Sequence, residues 1–514
     1  MLTLRNITIW RGSRTLLALG FGLTLSACAV GPDYQRPTAP TSRDYAPTAT
    51  PQATVSASGS GGNAQRLVQD MDIPGQWWTL FHSAPLNALI DDALRHNADA
   101  EAAQAALQAA WENVRAQRGA FFPEVEASVD PTRQKIAHVL ASPAASGATF
   151  YNLTTAQVSV SYAPDVWGGN RRQMESLVAL ANAQRFQLEA TYLTLTSNLV
   201  NAAIQEASLR AQIDATRSII ADQERIMTTL QRQQALGDAS EAAIAAQQAA
   251  LEQSRATLPP LEKQLAQQRD LLAALSGRMP SDAIDARFTL DALQLPAELP
   301  LSLPARLVEQ RPDVRMADEQ LHAASAQIGV AIANRLPNVQ ITAAIGSATT
   351  QASSLLSTGT GFWNLGAAIT APLFNGGALK HKQRAAEATY RQSAAQYRST
   401  VISAVQNVAD VLHAVQSDAA ALASAELADR AAARSLAIAQ KQLALGDISE
   451  VAMLSAEQTW RQTEIALAQV RANRYADTAA LFQALGGGWW NRDDLHPEHM
   501  TGAPVTTATS DHHR

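Results

Sequence analysis

Residues 153–169, LTTAQVSVSYAPDVWGG, change their hydrophobic period within a single stretch. Between positions 156 and 162 apolar residues alternate with Gln157, Ser159 and Ser161, and a period of two is typical of a strand with one apolar face. After the Gly168-Gly169 pair, apolar residues recur at mixed spacings of three and four, which is typical of a helix. The stretch therefore predicts an amphipathic strand that bends directly into a helix.

The same pattern recurs in the second half of the chain. Ala163-Pro164 with Gly168-Gly169 reappears 208 residues later as Ala371-Pro372 with Gly376-Gly377, and LGDASE at 236–241 reappears as LGDISE at 445–450. HNAD at 96–99 likewise matches QRPD at 310–313. Because Gly and Pro dominate these matches, the recurring features are backbone bends. The chain is therefore predicted to contain two copies of one structural unit.

Each copy is predicted to hold a helix, two strands, a long helix and a shorter helix. The first helices are expected at 83–119 and 304–335. Apolar and polar residues alternate in three predicted strands, around Val125 to Val129, at 153–162 and from Val339 to Ile345. In a fourth strand, alternation places Trp363, Leu365, Ala367 and Ile369 on one face. Strands of about 9 to 11 residues are long enough to cross a bilayer when tilted. Four membrane-crossing strands are expected.

The helices after the glycine pairs are unusually long. Residues 170–235 and 378–444 would each reach about 100 Å at a rise of ~1.5 Å per residue. The first carries a coiled-coil seam of alternating four and three steps, with Glu206 as its one polar member: Leu188, Tyr192, Leu195, Leu199, Ala202, Glu206, Leu209 and Ile213. The LGDxSE turns then reverse the chain into helices that end at Gly277 and Gly486.

The composition excludes several classes of protein. The 514 residues are 46% hydrophobic and 17% charged, and past the N-terminus no run of about 18 apolar residues could form a membrane-crossing helix. Because the chain has a single cysteine, it cannot be a disulfide scaffold, hold a zinc site made of cysteines or perform CxxC redox chemistry. The formal charge of −6 argues against binding nucleic acid by neutralising its phosphates.

Residues 1–27 have the layout of a secretory signal, with three arginines, no acidic residue and an apolar stretch from Leu16 to Leu25. Its removal takes away three positive charges and changes the formal charge from −6 to −9. The run that ends at Cys28 resembles a bacterial lipoprotein box, which implies an acylated Cys28. By resemblance to lipoprotein sorting rules, Ala29 rather than Asp directly after it implies delivery to the outer membrane. The alternative is an ordinary signal peptide in which Cys28 is only a small apolar residue of the cleavage region.

Four strands cannot close into a membrane barrel by themselves. An open sheet edge in hydrocarbon leaves backbone groups without partners, and membrane barrels have about eight strands or more. Two copies would give eight strands, whose lumen is largely filled by side chains. Three copies would give twelve strands and six helical hairpins around a conduit, so the sequence predicts a homotrimer.

The chain resembles the TolC-like outer-membrane factors, in particular the NodT/OprM branch of efflux lipoproteins. The resemblance rests on CAVGPDYQRP at 28–37, RPDVRMADEQLHAASAQIGVAIANRLPNV at 311–339, SYAPDVWGG with APLFNGG, LPPLEKQLAQQRDLLAAL at 258–275 and ALGGGW ending at Trp489. It implies an α+β membrane protein that forms a trimeric TolC-like α/β barrel. Four transmembrane β-strands per chain build its 12-stranded barrel, with long coiled-coil periplasmic helices and a mixed equatorial region.

The resemblance also implies a passive channel that receives substrates from a periplasmic adaptor and an inner-membrane pump of the RND class. A type I secretion channel is the nearest alternative. A periplasmic adaptor lipoprotein would instead carry one hairpin flanked by small β-domains. A lipid-anchored enzyme would need polar residues that converge on a site, and the sequence shows no such motif. We therefore expect no catalysis, no metal and no cofactor apart from the lipid on Cys28.

Two groups of residues are candidates for functional positions. The tip turns carry glycines and acids that are expected at the periplasmic entrance, where the acids either contact the adaptor or only favour the helix starts: Gly237, Asp238, Glu241, Gly446, Asp447 and Glu450. The strand-to-helix bends contain Pro164, Gly168, Gly169, Pro372, Gly376 and Gly377. Relatives often carry acidic gate residues at positions that are Ala452 and Ser455 here, which argues against an aspartate ring.

Basic residues follow both glycine pairs and are expected to anchor the chain at the membrane interface: Arg171, Arg172, Lys380 and His381. The histidines of the C-terminal tail are interpreted as solvated rather than metal-binding: His496, His499, His512 and His513. The expected organisation is a signal peptide at 1–27, an acylated extended segment at 28–82, repeats at 83–277 and 304–487, a connector at 278–303 and a tail at 488–514.

Overall fold

The computed structural model describes residues 29–42, 44–47, 51–140, 149–282 and 284–492. The strands in these ranges are β1 Arg66–Gln69, β2 Glu124–Lys135, β3 Phe150–Tyr162, β4 Glu298–Leu301, β5 Asn338–Thr349 and β6 Gly361–Thr370. The helices are α1 Ala84–His96, α2 Ala98–Arg118, α3 Gly169–Leu236, α4 Glu241–Leu275, α5 Pro304–Gln310, α6 Pro312–Ala333, α7 Ala378–Leu445 and α8 Glu450–Ala484. The predicted signal peptide, Cys28 and the tail histidines lie outside the described residues.

The chain divides into two compact units. Unit 1 comprises Met1–Pro37, Leu107–Gln184 and Ala317–Tyr397. Unit 2 comprises Thr38–Ala106, Arg185–Met316 and Arg398–Arg514. A four-stranded sheet lies in unit 1, and both LGDxSE turns lie in unit 2.

The sheet of unit 1 is antiparallel, with the order β2-β3-β5-β6. Its strands have 12, 13, 12 and 10 residues, so the predicted bilayer-length strands are confirmed as strands. The two copies of the repeat meet where β3 pairs with β5, with Val158 opposite Ile345. Each copy therefore contributes one β-hairpin to a single sheet.

The long helices are confirmed. The first helix after each glycine pair has 68 residues and the returning helix has 35 residues, in both copies. The predicted seam of α3 is also confirmed, since its eight members are all buried, including Glu206. The apolar members of such a seam pack against a neighbouring helix, and the single carboxylate can form a buried ion pair there.

The prediction of one unbroken helix at the start of each copy is wrong, because each is split in two. In the first copy Asn97 has an extended conformation, and its side-chain oxygen accepts hydrogen bonds from the N–H groups of Asp99 at 3.0 Å and Ala100 at 3.1 Å. It caps the second helix. In the second copy the break falls at Arg311, since the ring of Pro312 disfavours the helical conformation at the residue before it.

The residues at the two breaks, Asn97 and Arg311, make equivalent hydrogen bonds in their respective copies. The side chain of Asn97 donates to the carbonyl of Leu275 at 3.0 Å, and that of Arg311 donates to the carbonyl of Ala484 at 2.9 Å. Both carbonyls lie at the C-terminal end of a returning helix, where backbone acceptors lack helical partners. The break therefore ties the first helices of each copy to the end of its hairpin.

Part of the N-terminal segment that the sequence predicts to be extended is folded into the core of unit 2. Trp77, Trp78 and Phe81 are almost fully buried in a short 3-10 helix. The ring of Trp77 stacks on that of Phe482 at 5.5 Å between centroids. Just before this turn, β1 pairs in parallel with β4, so the connector at 278–303 also contributes a strand.

Among the described residues, no helix has both the length and the apolar character needed to cross a bilayer. Two long helical hairpins and a four-stranded sheet are present instead. This arrangement excludes the single hairpin with small β-domains that the adaptor alternative predicts.

Candidate functional site

The sheet of unit 1 has one apolar and one polar face. Across the strands, Val158 is opposite Ile345, and Ile345 is opposite Trp363, so one apolar row crosses three strands. On the other face, Ser159 is opposite Glu126 in β2 and Ala344 in β5. The apolar residues are exposed, as Trp363 shows at 76%. An exposed apolar face of this extent requires an apolar environment or a partner.

Both edges of this sheet are open in the described part of the chain. β2 pairs only with β3, and β6 pairs only with β5. Each edge presents a row of backbone N–H and C=O groups that can pair with another strand. Pro131 lies in the middle of β2, a position that prolines occupy in edge strands.

The first strand-to-helix junction is held by hydrogen bonds within unit 1. The carboxylate of Asp165 accepts from the N–H groups of Asn170 at 2.9 Å and Arg171 at 3.0 Å, at the start of α3. The indole of Trp167 donates to the carbonyl of Pro337 at 2.7 Å. Gly168 has a φ of 76°, and a Cβ there would clash with Ala29. The predicted bend residues Pro164, Gly168 and Gly169 thus lie at a tightly packed turn.

The second junction also bends at its glycine pair, but the pair makes few contacts there. Gly376 and Gly377 have positive φ values of 62° and 83°, which favour glycine. A Cβ at Gly376 would meet nothing within 4 Å, whereas one at Gly168 would meet Ala29. Pro372 and the residues that follow it up to Gly376 are exposed. Both copies therefore bend at a glycine pair with a positive φ at its first member, but only the second copy also has a positive φ at the next glycine, and the surroundings of the two turns differ.

The residues directly after Cys28 pack against the rest of unit 1. The N–H of Val30 donates to the carbonyl of Trp167 at 3.0 Å, and the buried guanidinium of Arg172 pairs with Asp33 at 2.6 Å and Glu175 at 2.8 Å. Arg172 is thus part of the internal packing of this segment.

Further along this segment, Tyr34 stacks on His322 at 4.4 Å and bonds to Asp318. Burial, together with the hydrogen bond to Asp318, raises the pKa of Tyr34. The carboxylates of Glu319 and Glu175 raise the pKa of His322. None of these contacts was expected from the sequence, because they join residues that lie far apart along the chain.

The predicted tip residues lie in two turns of the same geometry. Gly237 and Gly446 have φ values of 87° and 81° directly after α3 and α7. The N–H groups of Asp238 and Asp447 then donate back to residues five positions earlier, at 2.8 and 2.9 Å. Glu241 and Glu450 are the first residues of the returning helices, which have serine caps at Ser240 and Ser449. The four acids are exposed.

Near the tips, the two hairpins of unit 2 are joined by polar contacts that sequence reasoning missed. Arg225 of α3 pairs with Glu457 of α8 at 3.3 Å, and the hydroxyl of Thr229 donates to Glu450 at 3.0 Å. Since these pairs lie on helices far apart in sequence, no periodic pattern could have found them. Glu450, selected as a tip acid, therefore also links the hairpins.

No group of three or more metal-ligating side chains occurs within the described ranges. Ser455, one of the two positions at which the family resemblance implies a gate acid, donates its hydroxyl to the carbonyl of Val451 at 2.9 Å. Within unit 1 the described residues form a sheet with an apolar face and two open edges, and within unit 2 they form two helical tips joined by polar contacts.

The chain belongs to the outer membrane efflux protein family, whose model matches residues 89–278 and 303–487. The two matched stretches correspond to the two copies of the repeat. The chain is thus an outer-membrane efflux channel component that projects into the periplasm. Its TolC-like α+β fold is the one that the sequence predicts.

Named relatives place it within this family. It is 28% identical to a toluene efflux pump outer membrane protein, TtgC, of Pseudomonas putida, over 93% of this chain and 97% of that protein. It is also 28% identical to the pyoverdine export outer membrane protein OpmQ of Pseudomonas aeruginosa, over 80% of this chain and 87% of that protein. The Campylobacter jejuni CmeC outer membrane channel matches it with a TM-score of 0.78 at 20% identity, over 91% of this chain and 97% of that structure.

Proposed function

We propose that three copies of this chain form a passive export duct, which takes substrates from a periplasmic adaptor and an RND-type inner-membrane pump to the exterior. The outer membrane and the family are established above, and the trimer, the adaptor and the pump are the proposed part. In this duct the chain performs no catalysis and supplies no energy. Selection of the cargo is expected to lie with the pump, because a wide tunnel imposes little selectivity.

The observation that carries the proposal is an amphipathic sheet with two open edges. Backbone groups in hydrocarbon must be paired, so edges such as those of β2 and β6 require other strands. Four strands from each of three copies make a twelve-stranded barrel with the apolar face outward. Eight strands from two copies would leave a lumen that side chains largely fill. The open edges thus favour three copies.

The tip turns support the choice of partner. Both turns expose two acids and lie in the same unit, where they can form one binding surface for an adaptor. Opening of the entrance would be a shift between closed and open conformations. The adaptor must then bind the open conformation more tightly, since a partner shifts an equilibrium only by its differential affinity.

The N-terminal contacts support acylation of Cys28. Val30, which follows Cys28 by two positions in the sequence, donates its N–H to the carbonyl of Trp167 at the first strand-to-helix junction. A lipid on Cys28 would then enter the membrane that surrounds the barrel. Mass spectrometry of the purified mature chain tests this directly, and an unmodified Cys28 would contradict it.

Oligomeric state and conductance test the duct. We expect native mass spectrometry of the detergent-solubilised protein to give three chains, and planar bilayers to show discrete channels. A stable monomer, or the absence of conductance in bilayers that contain trimers, would overturn the proposal.

Cysteine labelling tests which face meets lipid. Substitutions Val158→Cys and Ile369→Cys on the apolar face should react poorly with a water-soluble maleimide in proteoliposomes. The matched controls Gln157→Cys and Asn364→Cys lie on the polar face of the same two strands and should react readily. Equal reactivity of the two faces would contradict the proposed orientation of the sheet.

A further inference from the structure

The second strand-to-helix junction carries exposed apolar and basic residues side by side. Leu373 and Phe374, between β6 and α7, are 97% and 92% exposed. The exposed basic residues of the first turns of α7 follow within ten positions. We call these six residues the junction patch: Leu373, Phe374, Lys380, His381, Lys382 and Arg384.

The positive charges of the junction patch are not neutralised by the residues that the structure describes. Among the described residues, no carboxylate lies within 4.0 Å of the charged atoms of Lys380, Lys382 or Arg384. The nearby carboxylate of Glu387 accepts a hydrogen bond from Gln383 at 2.8 Å. The first turn of α7 also contains no acidic residue. The helix dipole disfavours cations at the N-terminal end of a helix. An external anion would therefore reduce the unfavourable electrostatic energy at this end of α7.

The first junction of the same chain shows the alternative arrangement. Asp165 is the residue that corresponds to Leu373 in the repeat, and it pairs with Arg171 at 3.3 Å. Arg172 is buried against Asp33 and Glu175. The first junction therefore pairs its cations with carboxylates of the same chain. The second has an exposed leucine in place of Asp165, and no described carboxylate pairs with its cations, so they can bind another partner.

The position of the junction patch indicates what that partner is. It directly follows β6, whose exposed face carries Trp363, Leu365 and Ile369. If this face meets lipid, as the proposed function requires, Leu373 and Phe374 lie where the hydrocarbon ends. The cations then lie at the level of the head groups on the side of the helices, since basic side chains near a membrane are attracted by anionic lipid.

We propose that the junction patch binds anionic phospholipid of the periplasm-facing leaflet, with Leu373 and Phe374 in the acyl region and Lys380, Lys382 and Arg384 on the phosphate head group. The inference rests on the proposed function, because it needs the apolar face of the sheet in lipid. It makes the second junction an anchoring surface that is selective for the lipid head group, in contrast to the first.

The test is lipid retention by the full-length mature protein. Purified protein is incubated in detergent with equal amounts of phosphatidylglycerol and phosphatidylcholine, and bound lipids are counted by native mass spectrometry. We expect a preference for phosphatidylglycerol on the order of tenfold. The triple variant Lys380→Gln, Lys382→Gln and Arg384→Gln should reduce this preference to about one.

Two controls make the result specific. The triple variant Arg391→Gln, Arg398→Gln and Lys441→Gln removes the same charge from exposed positions of the same helix and should keep the preference. The double variant Leu373→Ser and Phe374→Ser should reduce the retention of both lipids without changing their ratio, because it removes only apolar contact.

Three outcomes would overturn the inference: no preference in the wild type, an unchanged preference in the junction variant, or an equal loss in the control variant. Dissociation of the junction variant into single chains would also overturn it, since the cations would then contact carboxylates of a second copy. Conductance in bilayers of phosphatidylcholine alone separates this test from the proposed function. The junction variant should conduct as the wild type does, whereas failure of the wild type to conduct would instead contradict the duct.

Discussion

The substitution Arg269→Met tests the buried ionic network of unit 2. Glu206, the one polar member of the α3 seam, is fully buried. Its carboxylate accepts from Arg210 at 2.5 Å and from Arg269 of α4 at 2.9 Å. Arg269 also donates to the carbonyl of Ile284 at 2.5 Å. One guanidinium thus joins two helices and the connector.

The expected cost follows from these contacts. Removing one partner of a buried ion pair costs about 3–5 kcal/mol, because the other charge stays buried. Since Arg210 remains beside Glu206, we expect the lower end, about 3 kcal/mol per chain. The entropy of unfolding of a chain of this length is roughly 1 kcal/mol/K. The midpoint of thermal unfolding in detergent should therefore fall by about 3 °C.

A neighbouring exposed pair is the matched control. Arg217 and Glu262 join the same two helices at 2.8 Å, with side chains that are 58% and 46% exposed. Arg217→Met should lower the midpoint by less than about 1 °C, because exposed pairs contribute about 0 to 1 kcal/mol. The double variant Glu206→Gln with Arg269→Met should be more stable than Arg269→Met alone. Equal effects of the two single variants would refute the reasoning.

Two further predictions concern a turn and a carboxyl pair. Gly277→Ala should destabilise the protein by about 2 kcal/mol or more, since φ is 74° and a Cβ would approach the His96 carbonyl oxygen to under 3.0 Å. Gly446→Ala, with φ 81° and nothing within 4 Å, should cost only about 1 kcal/mol, and equal midpoints in thermal unfolding would contradict this. Burial and a hydrogen bond to Asp418 raise the pKa of Asp477 to about 7, against an ordinary 3.8. The folded state therefore keeps a proton that the unfolded chain releases, and stability should fall as the pH rises from about 4 to about 7. Asp477→Asn should remove this loss, raising stability at pH 8 by about 1 kcal/mol and hardly at pH 4, and a pH-independent effect would contradict it.

Local periods predicted much of the fold. Alternation identified the strands of the sheet, including the rows through Val158 and Trp363. Successive side chains of a strand point to opposite faces, so the order of apolar and polar residues shows which face is apolar. The seam of α3 was predicted for the same reason, and the two tip turns followed from glycines at helix ends. The bend residues lie between strand and helix and the tip acids lie between paired helices, while the functional roles assigned to both groups remain predictions.

The hydrophobic period did not predict the two helix breaks, because each break depends on the backbone at a single residue. The breaks at Asn97 and Arg311 interrupt helices whose apolar patterns continue across them. A capping side chain and a following proline each disfavour helix at one residue, whereas the hydrophobic period averages over several turns. Their similar positions in the repeat were visible, but only the structure shows that each bonds to the end of a returning helix.

The sequence by itself determined the two copies of the repeat, the amphipathic strands and the long helices, because these follow from side chains a few positions apart. Only the tertiary structure decided that Trp77 lies in the core of unit 2, and that β1 pairs with β4 more than two hundred residues later. It also decided that Arg172 is buried against Asp33, whereas Lys380 is left exposed. Such contacts join residues that are distant along the chain, and no local pattern carries the information of which distant partner completes a charge or a sheet.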